Sequence, residues 1–249
     1  MSVAVFWGRL TGAQAAPPGW AVAASAAVAL LIVLSPMSWR LARIAITIAH
    51  EGGHAVASLL SGRRLEGIRL HADTSGETVS RGRRNGPGLV ITTLAGYLTP
   101  PLLGAGAAAL LAAHRVTLLL ALVLALLAVT LLMVRNWYGM LTVLLTGGAV
   151  LAAAWLATPP QRAGLAYGVA WFLLFGGIRP VAELARSRRM AARRRRPAFT
   201  DADQLARLTG LPGAAWVMLF ALVALAALAF GTETLITWPA HLPTAISGK

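Results

Sequence analysis

The sequence predicts an all-α polytopic membrane protein, with about seven transmembrane helices and a small β-hairpin on one face. Three observations carry that reading. Of the 249 residues, 57% are hydrophobic, and the mean hydropathy is +0.70. Only 12% are charged, against about 25% in an ordinary soluble domain. A soluble fold of this length cannot cover so much apolar side chain with polar surface. Apolar stretches recur along the chain at lengths suited to a hydrocarbon core of about 30 Å. The chain reads as one membrane domain, 1–249, with no internal repeat.

Seven stretches are candidates for crossings: 20–36, 38–60, 89–113, 116–134, 139–157, 163–178 and 213–230. No small-residue cleavage pattern follows the first, so it reads as a retained anchor. Between the second and third lies 61–88, a polar loop. Within it, 65–81 holds two short alternating runs around Ala-Asp-Thr-Ser-Gly, the pattern of a β-hairpin. The loop at 179–212 is dense in Arg and reads as a basic anchor on anionic lipid. With seven crossings the 22 basic residues divide 17 to 5 between the two faces. The basic-rich face holds the N-terminus and both of these loops, and it is cytoplasmic by the positive-inside rule. The C-terminus then lies outside. With no soluble domain to present the net charge of +14, nucleic acid is not an expected partner.

Cysteine is absent, so any metal must be held by His, Asp, Glu or water. The second stretch contains His50-Glu51-Gly52-Gly53-His54. Residues i and i+4 share a helix face, so both imidazoles can reach one ion, and neutral imidazole suits zinc. Glu51, beside the first His, is placed to take a proton from the attacking water. One charge at mid-bilayer costs about 2.5–3.5 kcal/mol on insertion scales. Three ionisable groups in five residues therefore point to function rather than packing. Gly52 and Gly53 each cost helix stability and admit a close neighbour, so another helix is expected to press against this one.

These residues resemble the site-2 protease family of intramembrane zinc metalloproteases, in particular its small bacterial members. The likeness rests on His50-Glu51-Gly52-Gly53-His54 in a span and the hairpin-like loop after it. Leu94-Ala95-Gly96-Tyr97-Leu98 is similar to the family's Ala-Gly-Pro stretch, with Tyr97 where Pro is usual. Arg135-Asn136-Trp137-Tyr138-Gly139 and Thr200-Asp201-Ala202-Asp203 look like further marks of the bacterial branch. The family's Leu-Asp-Gly motif, source of its third metal ligand, is missing here. The branch pattern implies Asp201 as third ligand, approached through Pro197-Ala198-Phe199. Asp203 is the second candidate, and a helix cap is the alternative role for either. The resemblance also implies a bacterial plasma-membrane location, a membrane-protein substrate, zinc as cofactor, and cleavage in or near the substrate's span. Asn136 is a candidate for hydrogen-bonding substrate backbone. The hairpin is a candidate for pairing with an extended substrate.

Two other functions fit a metal site in a membrane. A zinc transporter needs polar sites along a path from both faces, whereas this chain has one ionisable cluster near one face. A non-catalytic scaffold would use metal only to hold helices, and would have no need of Glu51.

Overall fold

A computed structural model describes residues 8, 11–195 and 199–237. Eight helices and one two-stranded antiparallel sheet are described: α1 (Gly19–Leu34), α2 (Pro36–Leu60), β1 (Arg64–Leu70), β2 (Gly76–Arg81), α3 (Pro87–Ala112), α4 (Val116–Met133), α5 (Trp137–Leu156), α6 (Pro159–Arg193), α7 (Asp201–Thr209) and α8 (Gly213–Thr237). Among the described residues five helices are singly long and apolar enough to cross a membrane: α3, α4, α5, α6 and α8.

The expected first two spans behave differently. Helix α1 has 16 residues, about 24 Å at 1.5 Å per residue, short of the hydrocarbon core. Helix α2 carries Arg40, Arg43, His50, Glu51 and His54, which dilute its apolar character. The two qualify only as a pair, bent by 101° at the break between them. Ser35 caps α2 by accepting from Ser38 N, and Pro36 sits at its first turn, where a missing N–H costs nothing. Counted as one broken span, the pair brings the total to six.

The position of Gln14 fits the bent pair counted as one span. Gln14 donates its backbone N–H to His114 O at 2.9 Å, and its side chain accepts from Thr117 N at 3.2 Å. Residue 14 therefore lies by the α3–α4 turn, at the end of α3 remote from the hairpin. Seven crossings would have put it on the hairpin's own face.

The bend has specific partners. Trp39 Nε1 donates to Glu183 Oε1 at 3.0 Å, and Arg179 donates to the same oxygen at 3.2 Å. The Arg179 guanidinium lies 4.8 Å from the Trp39 ring centroid and also donates to Val33 O at the end of α1. Arg43 approaches Glu183 at 3.8 Å. Helix α6 thereby holds both sides of the break.

The basic segment after residue 178 is not a loop. Helix α6 runs 35 residues, to Arg193. After Pro180 the segment 181–193 contains no Gly or Pro, and most of its residues, Ala, Leu, Glu, Arg and Met, are good helix formers. The short helix α7 follows. The Pro197-Ala198 approach to it lies outside the described residues, as do His241 and both chain termini.

The hairpin is present as expected. Asp73 closes its turn, with Oδ1 accepting from Ser75 N and Oγ at 3.0 and 2.6 Å. Those bonds hold the Asp73 carboxyl below the usual carboxylate range. Strand β1 buries Ile68 and Leu70 against Ile48 and Ala55 of α2 and Val143 of α5, with Val134 beside them and Leu127, Leu131 and Met133 of α4 packed against the group. Its other edge is taken by an isolated parallel bridge, Ile68 with Val134, reinforced by Arg135 N donating to Ile68 O at 2.9 Å. The outer edge of β2 has no strand partner among the described residues.

Helices α2, α3 and α6 cross tightly through glycines, as membrane helices do where dispersion replaces the hydrophobic drive. A Cβ at Gly177 would stand 3.0 Å from the Pro101 ring, and one at Gly176 would stand 2.8 Å from Ile46.

Candidate metal centre

Helix α2 carries His50, Glu51 and His54 on the side facing α3, α7 and the hairpin. Gly53 makes the α2–α3 approach feasible: a Cβ there would fall 2.7 Å from Thr99 Cβ and 3.0 Å from Ala95 O. Only this glycine of the pair meets the expectation of a close neighbour, since nothing lies within 4 Å of a Cβ at Gly52. Across the interface Gly96 is the counterpart. A Cβ there would fall 2.6 Å from His50 Nε2 and closer to His54 Nε2. Glycine leaves the two imidazoles room to converge.

Their orientation is set from α3. His54 Nδ1 lies 2.7 Å from Thr92 O. A carbonyl only accepts, so the proton sits on Nδ1 and Nε2 is left as a lone-pair donor, the usual arrangement behind a metal-ligating His. The His50 ring stands edge-on to Tyr97, with centroids 4.7 Å apart, and Tyr97 stacks on Phe220 of α8 at 4.8 Å. Tyr97 thus supplies a wall behind His50.

Helix α7 brings the third group. It is strongly amphipathic, and Ala202 and Leu205 are fully buried against Val181, Leu184 and Phe220. Thr200 forms a capping box with Asp203: Asp203 N donates to Thr200 Oγ1 at 3.4 Å, and Thr200 N donates to Asp203 Oδ2 at 3.2 Å. Asp203 also pairs with Arg188 of α6. That leaves Asp201, first residue of the helix, to face α2. Its Oδ2 is 3.3 Å from both His50 Nε2 and His54 Nε2, which are 3.0 Å from each other. The two aspartates that the sequence left in competition have different surroundings, imidazoles for one and a cap with an arginine for the other. Glu183, the remaining acid after the sixth span, is engaged at the helix break.

The donor set suits zinc. Ligands about 2.0–2.1 Å from a tetrahedral centre stand roughly 3.3 Å from one another, the spacing seen here. His50, His54 and Asp201 are the cluster of metal-ligating side chains found among the described residues.

Glu51 is 5% exposed and does not join the cluster. Its Oε2 accepts from Thr78 Oγ1 of β2 at 2.7 Å. Gly76 makes that contact feasible, since a Cβ there would fall 2.7 Å from Glu51 Cγ. Thr47 Oγ1 donates to Thr74 O at 2.8 Å, fastening the hairpin turn to the same helix. Between hairpin and bundle lies a cavity of about 950 Å³, walled by His50, Glu51, His54 and Asp201 on one side and by residues 76–82 of the hairpin on the other.

A family model described as Peptidase M50B-like matches residues 23–231. The chain belongs to that family, within the site-2 proteases. No curated protein and no solved structure gave a match. Membership of that family supports a membrane metalloprotease at family level, and the matched segment takes in every group of the centre just described.

Asn136 stands apart from the other candidates. Its Nδ2 donates to Leu70 O at 2.7 Å, and its Oδ1 accepts from Leu70 N at 3.1 Å. It ties β1 to the start of α5 and is not part of the cavity wall. Sequence reasoning also missed Thr92, Thr78 and Gly76. Thr92 acts through a backbone carbonyl, which side-chain identity does not reveal. Thr78 and Gly76 sit in the hairpin already singled out, where strand alternation alone does not say which residue meets Glu51.

Proposed function

We propose that this M50B-like chain is an intramembrane zinc endopeptidase acting on membrane-protein substrates within or near their spans. His50, His54 and Asp201 would hold the ion, and Glu51 would be the general base. The convergence of three ligand atoms at 3.0–3.3 Å beside a separate buried carboxylate carries the reading. Bound zinc would polarise the scissile carbonyl and lower the pKa of the attacking water. Thr78 holds one oxygen of Glu51 and leaves the other to take the water's proton, which Glu51 then delivers to the leaving amine. Thr92 keeps His54 in the ligating tautomer. The unpaired edge of β2 borders the cavity, so a substrate unwound to an extended strand can pair there beside Glu51. Asn136 serves by anchoring β1, which fixes that edge.

Six crossings also revise the orientation. Among the described residues the hairpin face keeps most of the basic side chains, against Arg115 and Arg162 on the opposite face, with Arg40, Arg43 and Arg179 at the bent pair. The hairpin face is then cytoplasmic, and Gln14 lies on the outer face.

Transport is the weaker reading, because the metal-ligating cluster stands alone among the described residues and its cavity opens beside the hairpin. The test is Glu51→Gln in the purified full chain, with zinc content and cleavage of membrane substrates measured together. Zinc near one per chain with hydrolysis abolished is expected. Hydrolysis at the unmodified rate would remove Glu51 from the base role.

A further inference from the structure

The cavity has a charged mouth that the hydrolytic machinery does not use. Arg63, Arg81 and Arg84 line it, opposed by Glu77. Glu77 is paired with Arg69 and Arg81 with Glu66. Among the described residues Arg63 and Arg84 have no carboxylate partner. Arg63 is nonetheless fixed: its Nε donates to Ser80 Oγ at 3.1 Å and its Nη1 to Arg83 O at 2.7 Å. A cation held by neutral acceptors keeps its full charge and has already lost its rotamer freedom, which favours recognition of an anion. Among the described residues Arg84 has no side-chain hydrogen bond or ion pair, and it lines the same rim.

Position relative to the chemistry follows from β2. The strand begins at Gly76 and Thr78, against Glu51, and ends at Ser80 and Arg81, against Arg63. At about 3.3 Å per residue, a peptide paired with its free edge would meet Arg63 and Arg84 roughly two to six residues from the bond being cut.

We propose, on the protease reading above, that Arg63 and Arg84 select substrates carrying acidic residues about two to six positions from the scissile bond, where the strand leaves the membrane. The partner is an acidic peptide segment rather than a lipid phosphate, because the two arginines border the cavity that the β2 edge and Glu51 share.

Binding tests this without turnover. Zinc-loaded, full-length Glu51→Gln protein in neutral detergent is titrated with fluorescent peptides of one apolar span. An Asp pair, Ala pair or Lys pair is placed four residues to either side of the cleavage position. On one of the two sides the Asp peptide should bind about 3- to 10-fold more tightly than the Ala peptide at low salt, with the Lys peptide weaker still. Adding Arg84→Glu should erase or invert that order at unchanged zinc content, and the Lys peptide should then regain affinity. Equal affinities across the series overturn the proposal without any variant. So does an Asp preference that survives Arg84→Glu. If Arg84→Glu leaves peptide binding unchanged but weakens binding to phosphatidylglycerol vesicles, the arginines are a lipid contact and the proposal falls. Cleavage by the unmodified enzyme is read separately. Efficient cleavage with no charge preference sinks only this inference, whereas charge-selective binding with no cleavage sinks the protease reading.

Discussion

Replacing Gly96 by Ala separates the metal centre from the helix that supports it. Gly96 lies inside α3, where Ala favours helix by up to about 1 kcal/mol. The new methyl, however, would sit 2.6 Å from His50 Nε2 and nearer still to His54 Nε2. In the metal-free protein the imidazoles can turn aside, so the stability change should be small. With zinc bound the rings are fixed, and overpacking of this kind costs about 1–3 kcal/mol. At 1.4 kcal/mol per tenfold, zinc affinity should fall about 5- to 150-fold. Gly106→Ala is the control, being in the same helix with nothing within 4 Å of its Cβ position. The assay is competitive chelation to obtain zinc Kd, with melting temperatures of the metal-free and loaded forms. The loaded Gly96→Ala protein should lose most of the zinc-dependent rise in Tm, while Gly106→Ala keeps it. Unchanged zinc affinity in Gly96→Ala would refute the placement of the ligand nitrogens against α3.

Asp201→Ala should lose zinc and cleavage. Asp203→Ala should keep zinc and lose about 0.5–2 kcal/mol of stability with its cap, so zinc stoichiometry and denaturant midpoints on the pair distinguish ligand from cap. Thr78→Val should leave zinc unchanged and lower kcat about ten- to hundredfold, since a hydrogen bond to a charged group is lost; an unaltered kcat would remove Thr78 from the support of Glu51. The chain has no cysteine, so single cysteines at Gln14 and Arg84 can be labelled without background. A membrane-impermeant thiol reagent should reach them from opposite faces, and labelling of both from one face would refute the six-crossing arrangement.

The helical half of the candidate site was legible in the sequence because a helix repeats at 3.6 residues. His50, Glu51 and His54 had to share a face wherever the helix went. The hairpin was legible from strand alternation around a turn. Asp201 was harder. It is about 150 residues from His50, and its competitor Asp203 is the same residue type two positions on. What distinguishes them is the capping box with Thr200 and the pair with Arg188, which occupy Asp203 and turn Asp201 inward. The described helices give five single spans and one bent pair rather than the seven expected, for a comparable reason. Ser35-Pro36 announces a break, but the angle across it depends on Glu183 and Arg179, which lie on a helix far along the chain.

That break bears on how a chain with eight acids distributes them. An unpaired charge in the bilayer is costly, so each acid near the membrane should have partners that offset its desolvation. Asp201 meets two imidazoles and Glu51 meets Thr78, both at the centre. Glu183 gathers Trp39, Arg179 and Arg43, and Asp203 takes Thr200 and Arg188. The last two touch no candidate ligand, yet one holds the turn that aims α2 and the other the start of α7. They fix the two elements whose meeting brings Asp201 to the histidines. The meeting of α2 and α7 therefore rests on a second tier of charges, away from the candidate ligand atoms.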